Sequence, residues 1–518
     1  MSGHLKAVII ILAVGLIAML AYRFTWPYLE NSLQTETSDA AVIKHRLRLG
    51  MDNWVGYFPM CSPEMQQRLR NRAIQLQCID DKADYHGRFG RLDGHELELA
   101  VATADSYLLN GAEFDFPGVI VAVIDESKGG DAIVADTRKV ASLSMLKNSP
   151  DLRVAFTPAS PSEHLLKSIG AHFDIPWLKQ KRGNWRLQTD GSSDALQQLR
   201  DKKADVAVLW EPDVSRAIAD NNFGILISSK DTDKLIVDIL LVDRRYLRDN
   251  PEVLQEFLQT YFDTLQYYSR NPDRLRGDLR ETTALDDAQI DAMLGGVEWA
   301  GLTENAVTWF GVSGSGLYGD EAVIDAINAS LDVLIESQDF DHNPLPEQNP
   351  YRLTNRLPIE KLYRDHHASG QQTESTPEST FAHRFTPLDE KAWQGLKEIG
   401  NLKVDAISFR RGSGALDLDG KQSLDKVAER LKRYPNFRIL VKGHTGIRGD
   451  APANLKLSAE RAEAVTRYLL VTYNLDPNRI LSLGYGGTAP LPKLPGESAR
   501  AYSYRLPRVE IALVSEAY

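Results

Sequence analysis

Three sets of residues have types and spacings that could do chemistry. His164 follows Ser162 at the start of an expected helix, where an imidazole could act as a general base. No nucleophile or acidic partner is evident around it. It therefore reads as a packing or surface histidine, and the chain as a non-enzyme. Cys61 and Cys78 are the only cysteines. They form no CxxC and no Cys/His cluster, so no zinc site is indicated. A Cys61–Cys78 disulfide is open to the chain if it is exported. In "DFDHN", Asp339, Asp341 and Asn343 alternate as at the start of a calcium loop. The Gly and terminal Glu of such a loop are not correctly placed, which leaves a solvated loop. Nothing calls for a metal or a cofactor.

The elements that position these residues belong to a chain of 518 residues, enough for two to four domains. Hydrophobic residues make up 43% and charged residues 25%, too apolar for a disordered chain. The net charge of −11 excludes a global basic field for nucleic acid. It does not exclude an anionic ligand, because anion sites use local backbone N–H groups.

From Ala7 to Tyr22 no residue is charged. With its flanks this stretch approaches the roughly 20 residues that cross a bilayer, and Lys6 before it favours a cytoplasmic N-terminus. A cleaved signal peptide is the rival, but cleavage after Ala21 puts Met19 at −3, a poor fit. An uncleaved anchor over 1–24 is the favoured reading. Both readings send the rest of the chain out of the cytoplasm.

A polar tether spans 25–44 and a long globular region 45–363. The stretch 364–383, rich in Ser, Thr, Gln, Glu and Pro, reads as a disordered linker. A compact region, 384–518, follows. In the long region strands are expected at 45–51, 95–103, 118–125, 152–158 and 204–210. Helices are expected at 62–74, with Ser62 as N-cap and Pro63 in the first turn, from Ser162, and at 192–203. This βαβα rhythm implies parallel sheets covered by helices. "Trp309-Phe310-Gly311" reads as a buried aromatic turn.

The strings "GMDNWVGYFPM", "DESKGGDAIVADTRKVASLSMLKNSPDLRVAFTPASPSEHLL", "DALQQLRDKKADVAVLWEPDVSRAI" and "LVDRRYLRDNPEVLQEFLQTYFDTL" occur in an order that resembles periplasmic substrate-binding proteins of the type II fold. The group of closest resemblance is the nitrate/sulfonate/taurine-binding proteins of ABC importers. The resemblance implies two lobes, the second at about 140–230, with a ligand between them. Carried over by position, Trp54 and Tyr57 are expected as an apolar or stacking wall. Ser127, Gly129 and Gly130 are expected to offer a hydroxyl and N–H groups near the hinge. Ser160 and Ser162 would stand at a helix N-terminus that favours an anion. Trp210 and Glu211 would close the opposite side, Glu211 either toward a cationic group or toward solvent. Thr103 and Asp105 lie at a strand end, Asp105 as a helix cap or a ligand contact. Segment 298–363 departs from the minimal pattern of that fold.

The C-terminal region resembles the OmpA-like domain more strongly, through "GHT" (443–445), "LSAERA" (457–462) and "GYG" (484–486). The expected order is βαβαββ, with a first strand in 404–410. The first helix should turn Leu424, Val427 and Leu431 inward, and the second Leu457, Ala464, Val465 and Leu469. The resemblance implies binding of peptidoglycan, an Asp taking the ammonium and an Arg the carboxylate of a diaminopimelate, where the planar guanidinium fork fits. Arg461 occupies the Arg position, fifteen residues after Gly446, which stands where the Asp is expected. Asn454 and Thr445 match the pattern. Asp450 is either a stand-in for the missing carboxylate or a helix cap.

The fold class expected is thus α/β and α+β: an N-terminal membrane helix, a bilobed type II periplasmic-binding-protein fold and a βαβαββ OmpA-like domain. The expected function is a single-pass inner-membrane protein in a Gram-negative envelope, with its bulk in the periplasm. It would bind a small anionic or zwitterionic ligand at the peptidoglycan, as capture device or sensor. An ABC permease or another envelope protein is a further partner. The alternative is a structural tether from membrane to wall whose binding-protein domain docks a protein.

Overall fold

A computed structural model describes residues 43–283, 285–312, 319–368, 385–410 and 412–516. The apolar stretch Ala7–Tyr22, the tether up to residue 42 and most of the expected linker lie outside the described residues. No described helix is long and apolar enough to cross a membrane.

Lobe one begins with β1 (His45–Met51), α1 (Pro63–Asn71), β2 (Ile74–Asp80), β3 (Leu99–Thr103), α2 (Ala104–Gly111) and β4 (Gly118–Ser127). Ser62 starts α1 as its spacing to Pro63 requires: its hydroxyl accepts the Met65 N–H at 3.2 Å. The helix ends three residues earlier than expected, because Ala73 turns to positive φ and Ile74 opens β2. The expected strand 95–103 is likewise shortened, to Leu99–Thr103. β3 and β4 are buried at every position, the mark of strands covered on both faces.

The chain then crosses into lobe two. This lobe holds β5 (Asp131–Asp136), β6 (Val154–Phe156), α3 (Pro161–His172), β7 (Arg186–Gln188), α4 (Ser192–Arg200), β8 (Val206–Trp210) and β9 (Phe223–Ser228). It returns through β10 (Val237–Asp243), α5 (Pro251–Arg270) and β11 (Val297–Trp299). The sheet orders are β11-β4-β10-β3-β1-β2 and β7-β6-β8-β5-β9. Both lobes follow one plan. Second, first and third strands lie side by side, then the strand that arrives from the other lobe, then the fourth. The arriving strands β10 and β5 run antiparallel to their neighbours. In such sheets the crevice at the carboxyl ends of the parallel strands is where ligands lie.

The extension beyond β11 places α6 (Ala322–Glu336) against α2 of lobe one and α3 of lobe two, so it straps the lobes together. Glu336 at its end pairs with Lys179 of lobe two at 2.9 Å. Asp339, expected in a solvated loop, instead pairs with the buried Lys167 at 2.9 Å, the nearest positive charge to that loop. Trp309 and Phe310 are buried as expected. The helix Leu357–Ala368 takes in residues 364–368, the start of the expected linker, because Glu360 anchors Arg364 one turn on.

The C-terminal domain contains β12 (Lys397–Asn401), α7 (Leu418–Lys432), β13 (Arg438–His444), α8 (Ala451–Tyr473), β14 (Ile480–Gly484) and β15 (Arg508–Ser515), in sheet order β12-β15-β13-β14. The strand expected in 404–410 is a single bridge, Phe409 to Leu416. β12 already fills the free edge of β15, which leaves 404–410 without a ladder. Leu424, Val427 and Leu431 of α7 point inward as expected. The buried face of α8 is Ser458, Ala462, Val465 and Leu469, rotated from the expected stripe. The strands approach this helix too closely for larger residues: a Cβ at Gly443 would stand 2.0 Å from Ser458 O, and one at Gly484 2.6 Å from Ala459 N.

This domain is docked on lobe two. Tyr434 packs edge-on against Phe173, ring centroids 5.4 Å apart, and the apolar core runs on between them. Lys403 N–H donates to His172 O at 2.6 Å, and its ammonium meets Glu336 at 2.6 Å. Asp233 N–H donates to Arg433 O at 2.9 Å, while the Arg433 guanidinium donates to Asp325 O on α6 at 3.1 Å.

Candidate functional site

Thr103, Asp238, Asp125 and Trp299 are successive cross-strand partners in lobe one. Residues directly opposite share a sheet face, so these four form a row. The turn Val55–Tyr57 covers it. The Tyr57 hydroxyl donates to Asp238 Oδ1, Trp54 Nε1 to Asp125 Oδ1 at 3.2 Å, and Trp299 Nε1 to Gly56 O at 2.8 Å. Burial raises both Asp125 and Asp238, and the Asp125 charge raises Asp238 further, so the pair retains a proton near neutral pH. Asp52 beside them is held by the fully buried Arg88 at 3.0 Å, which also grips Asp81.

At the end of β3, Thr103 rather than Asp105 is the N-cap of α2, and its hydroxyl donates to Ser106 Oγ at 2.9 Å. Asp105 lies in the first turn, 4% exposed, with Oδ1 lacking any partner. At the hinge, Ser127 Oγ donates to Asp131 Oδ2 at 2.7 Å and lies 2.9 Å from Ser229 Oγ. Burial raises Asp131 to about 7; the Ser127 bond opposes this, and the charges of Asp105 and Glu211 add to it.

In lobe two, Ser160 is the N-cap of α3, its hydroxyl spent on Thr157 O at 2.7 Å. Ser162 is wholly buried and its Oγ has no partner. The same holds for Nδ1 of the buried His164, whose pKa is lowered chiefly by burial, and for Oγ1 of the buried Thr189. Trp210 is half-buried, its backbone tied to Ser192 Oγ. Glu211 accepts from Ser215 N–H at 3.1 Å and Ser215 Oγ at 2.9 Å, and burial raises its pKa.

Several expected contacts are therefore committed elsewhere. Tyr57 is a core residue, its ring buried and its hydroxyl spent on Asp238. The Gly129 and Gly130 N–H groups close the hinge on Ser229 Oγ at 2.9 Å and Gly296 O at 3.1 Å. Ser127 braces the same hinge, and Ser160 and Thr103 are satisfied locally. Trp54, Asp105, Trp210 and Glu211 follow or end strands β1, β3 and β8, and Ser162 lies in the first turn of α3. Asp131 and Thr189 join them although sequence reasoning passed over both. Asp125 and Asp238 had a visible signal, a lone Asp inside an apolar strand, since carboxylates are almost never fully buried without a partner.

In the C-terminal domain Asp450 is the N-cap of α8, accepting the Ala453 N–H at 2.9 Å. Arg461 lies eleven residues further along that helix, about 16 Å at 1.5 Å per residue. Asp450 thus serves as the helix cap. The Arg461 guanidinium lies over the Phe409 ring at 5.1 Å, its pKa lowered by burial, and its Nε reaches Ser413 O at 3.5 Å. Asn454 Nδ2 donates to Gly446 O at 3.5 Å and Arg448 O at 3.0 Å, which folds the loop back over the helix start. Thr445 is buried, its N–H bonded to Gly486 O at 2.8 Å. A Cβ on Gly446 would meet nothing within 4 Å, so the position of the missing carboxylate is open space.

Cys61 and Cys78 are joined by a disulfide, their Cα atoms 6.2 Å apart.

The family described as the OmpA family matches residues 408–502. The peptidoglycan-associated lipoproteins of Rhizobium meliloti and Agrobacterium fabrum are each 38% identical over 87 residues, 17% of this chain and 49% of each relative. The chain thus spans about half the length of these curated relatives. Outer membrane porin F of Pseudomonas aeruginosa is 27% identical over 130 residues, 25% of this chain and 36% of that protein. Among solved structures, the alkanesulfonate-binding protein SsuA from Xanthomonas axonopodis pv. citri, bound to MOPS, is 16% identical with a TM-score of 0.44, covering 61% of this chain and 100% of that one. The aliphatic sulphonate binding protein SsuA from Escherichia coli is 19% identical with a TM-score of 0.40, covering 49% and 85%. The C-terminal part of the chain, residues 408–502, is an OmpA-family domain, joined to a two-lobed α/β region with a crevice at its strand ends.

Proposed function

We propose that this protein is a periplasmic solute-binding protein held at the cell wall, acting as a fixed capture device or sensor. The observation that carries the solute-binding reading is that, among the buried polar atoms without partners, Asp105 Oδ1, Ser162 Oγ, His164 Nδ1 and Thr189 Oγ1 lie at the strand-to-helix junctions of the two lobes. All stand where parallel strands end and helices begin. Buried polar groups are normally satisfied, and four orphans at the crevice of two lobes are what a bound molecule would satisfy.

The OmpA-family domain, with Arg461 half-buried and open space at Gly446, supports association with peptidoglycan. The Cys61–Cys78 bridge supports an oxidising compartment outside the cytoplasm. The apolar stretch Ala7–Tyr22 is the segment we assign to the inner membrane, which makes the chain a tethered rather than a diffusing binder. Native mass spectrometry of the full chain, purified without unfolding, tests the first claim: a bound small molecule is expected. Co-sedimentation with isolated sacculi tests the second, and a chain that stays in the supernatant would rule it out.

A further inference from the structure

The crevice is charged in one sense. Asp105 comes from the start of α2 in lobe one, Asp131 from the hinge end of β5, and Glu211 from the end of β8 in lobe two. Each is at most 9% exposed. They lie near one another, because the charges of Asp105 and Glu211 both reach the Asp131 carboxyl. Asp131 and Trp210 are register partners on β5 and β8, so the carboxylate and the indole rise from the same face. On the other side the Trp54 ring lies against Gly130, the residue before Asp131, with its N–H turned to Asp125.

Most positive charges nearby are already engaged, and Lys230, beside Gly129 at the hinge, is exposed. Arg88 holds Asp52 and Asp81, Lys128 holds Glu126 and Asp233, Lys167 holds Glu163 and Asp339, and Arg216 holds Asp213. Among the described residues none of Asp105, Asp131 and Glu211 takes part in an ion pair. Buried carboxyls without a counter-charge take up protons, as the raised Asp131 and Glu211 do, and a cation placed among them would let them ionise. Among the described residues no three His, Cys, Asp or Glu side chains come together as a metal site. Carboxyls spread over three elements and flanked by two indoles fit a larger cation with an apolar body, whose charge can also face an aromatic ring.

We propose that the crevice binds a small organic cation, an ammonium or guanidinium compound, with Asp105, Asp131 and Glu211 as counter-charges and Trp54 and Trp210 as aromatic walls. The assignment rests on the solute-binding reading and narrows it to a ligand class. The unpartnered hydroxyls of Ser162 and Thr189 give lobe two polar contacts for the far end of the same molecule.

The test is thermal unfolding and titration calorimetry on the full chain with putrescine, spermidine, agmatine and choline. Ethanesulfonate, nitrate and phosphate form the anion arm, and calcium chloride the metal arm. At least one organic cation should raise the unfolding midpoint saturably by several degrees. Asp105→Asn and Asp131→Asn should each weaken that binding at least tenfold. Both variants should remain folded, with ligand-free midpoints at or above that of the parent, since each removes a repelling charge. Glu211→Gln gives a second reading on the lobe-two side, with a smaller loss because Ser215 already shares that carboxylate. Saturable binding of an anion or calcium alone would overturn the cation assignment and leave solute binding standing. No binding in any arm would overturn both.

Discussion

His172 Nδ1 lies 2.7 Å from the phenolic oxygen of Tyr434, joining the last turn of α3 in lobe two to the C-terminal domain. Burial lowers the His172 pKa to about 3, so the ring is neutral at physiological pH and its Nδ1 can accept the phenol proton. Tyr434→Ala would remove that bond and the Phe173 contact together, at about 3–5 kcal/mol as for a large buried aromatic. Hydrogen exchange should then rise in β12 and in the last turn of α3, while Arg461 stays protected within its own domain. Unchanged exchange at both places would mean that the docking does not depend on Tyr434.

The pH dependence of the ligand-free chain has a definite sign. Asp131 titrates at about 7 in the folded chain and near 3.9 when unfolded. Between those values the folded chain holds a proton that the unfolded chain lacks. Its stabilising contribution is complete below the unfolded value and is lost as pH rises through 7, by up to ~1.4 kcal/mol per pH unit. His164 and His172 act oppositely: burial lowers both, so their contribution is lost as pH falls below about 6.5. Thermal midpoints should therefore rise as pH is lowered from 8 to 6.5, and Asp131→Asn should flatten that slope.

Gly446→Asp restores a carboxylate where the structure leaves room for one. It should increase co-sedimentation with sacculi several-fold. Arg461→Ala should abolish it, a loss of roughly 2–5 kcal/mol if the guanidinium pairs with a desolvated carboxylate.

Asp450→Ala should cost about 1 kcal/mol of stability, the usual worth of a lost helix cap, and leave sacculus binding in place. Loss of pelleting at unchanged stability would make Asp450 a ligand residue after all.

Replacing both Cys61 and Cys78 by Ser opens a loop of sequence separation 17. Chain-entropy arguments put the loss near 3 kcal/mol, readable as a lower denaturant midpoint with no change in the C-terminal domain.

The motifs that proved most legible are those in which packing dictates residue size. Gly443 and Gly484 must be glycine because the Ser458–Ala459 backbone lies against them, and such constraints leave strings that read in one dimension. The βαβα rhythm gave parallel sheets covered by helices, since strands covered on both faces need long apolar runs, and the resemblance to binding proteins supplied the two lobes. The charge of the crevice was far less legible. Asp131 follows two glycines and looks like any turn acid. Its significance comes from Asp105 and Glu211, 26 and 80 residues away in the chain, and only the sheet order brings them together. Ser162 looked like a cap, but Ser160 takes that place, because Pro161 fits only as the first helical residue. Which of two nearby serines is left without a partner depends on the third dimension.

The chain enters lobe one at β1 (His45–Met51), whereas the OmpA-family domain rests on lobe two and on α6. A pull between these two attachments passes through the Lys128–Gly130 and Ser229–Ile236 crossings and through the α6 strap. Under the proposed function, a membrane-held N-terminus and a wall-held C-terminal domain would place their load on the same hinge that a ligand in the crevice would bridge.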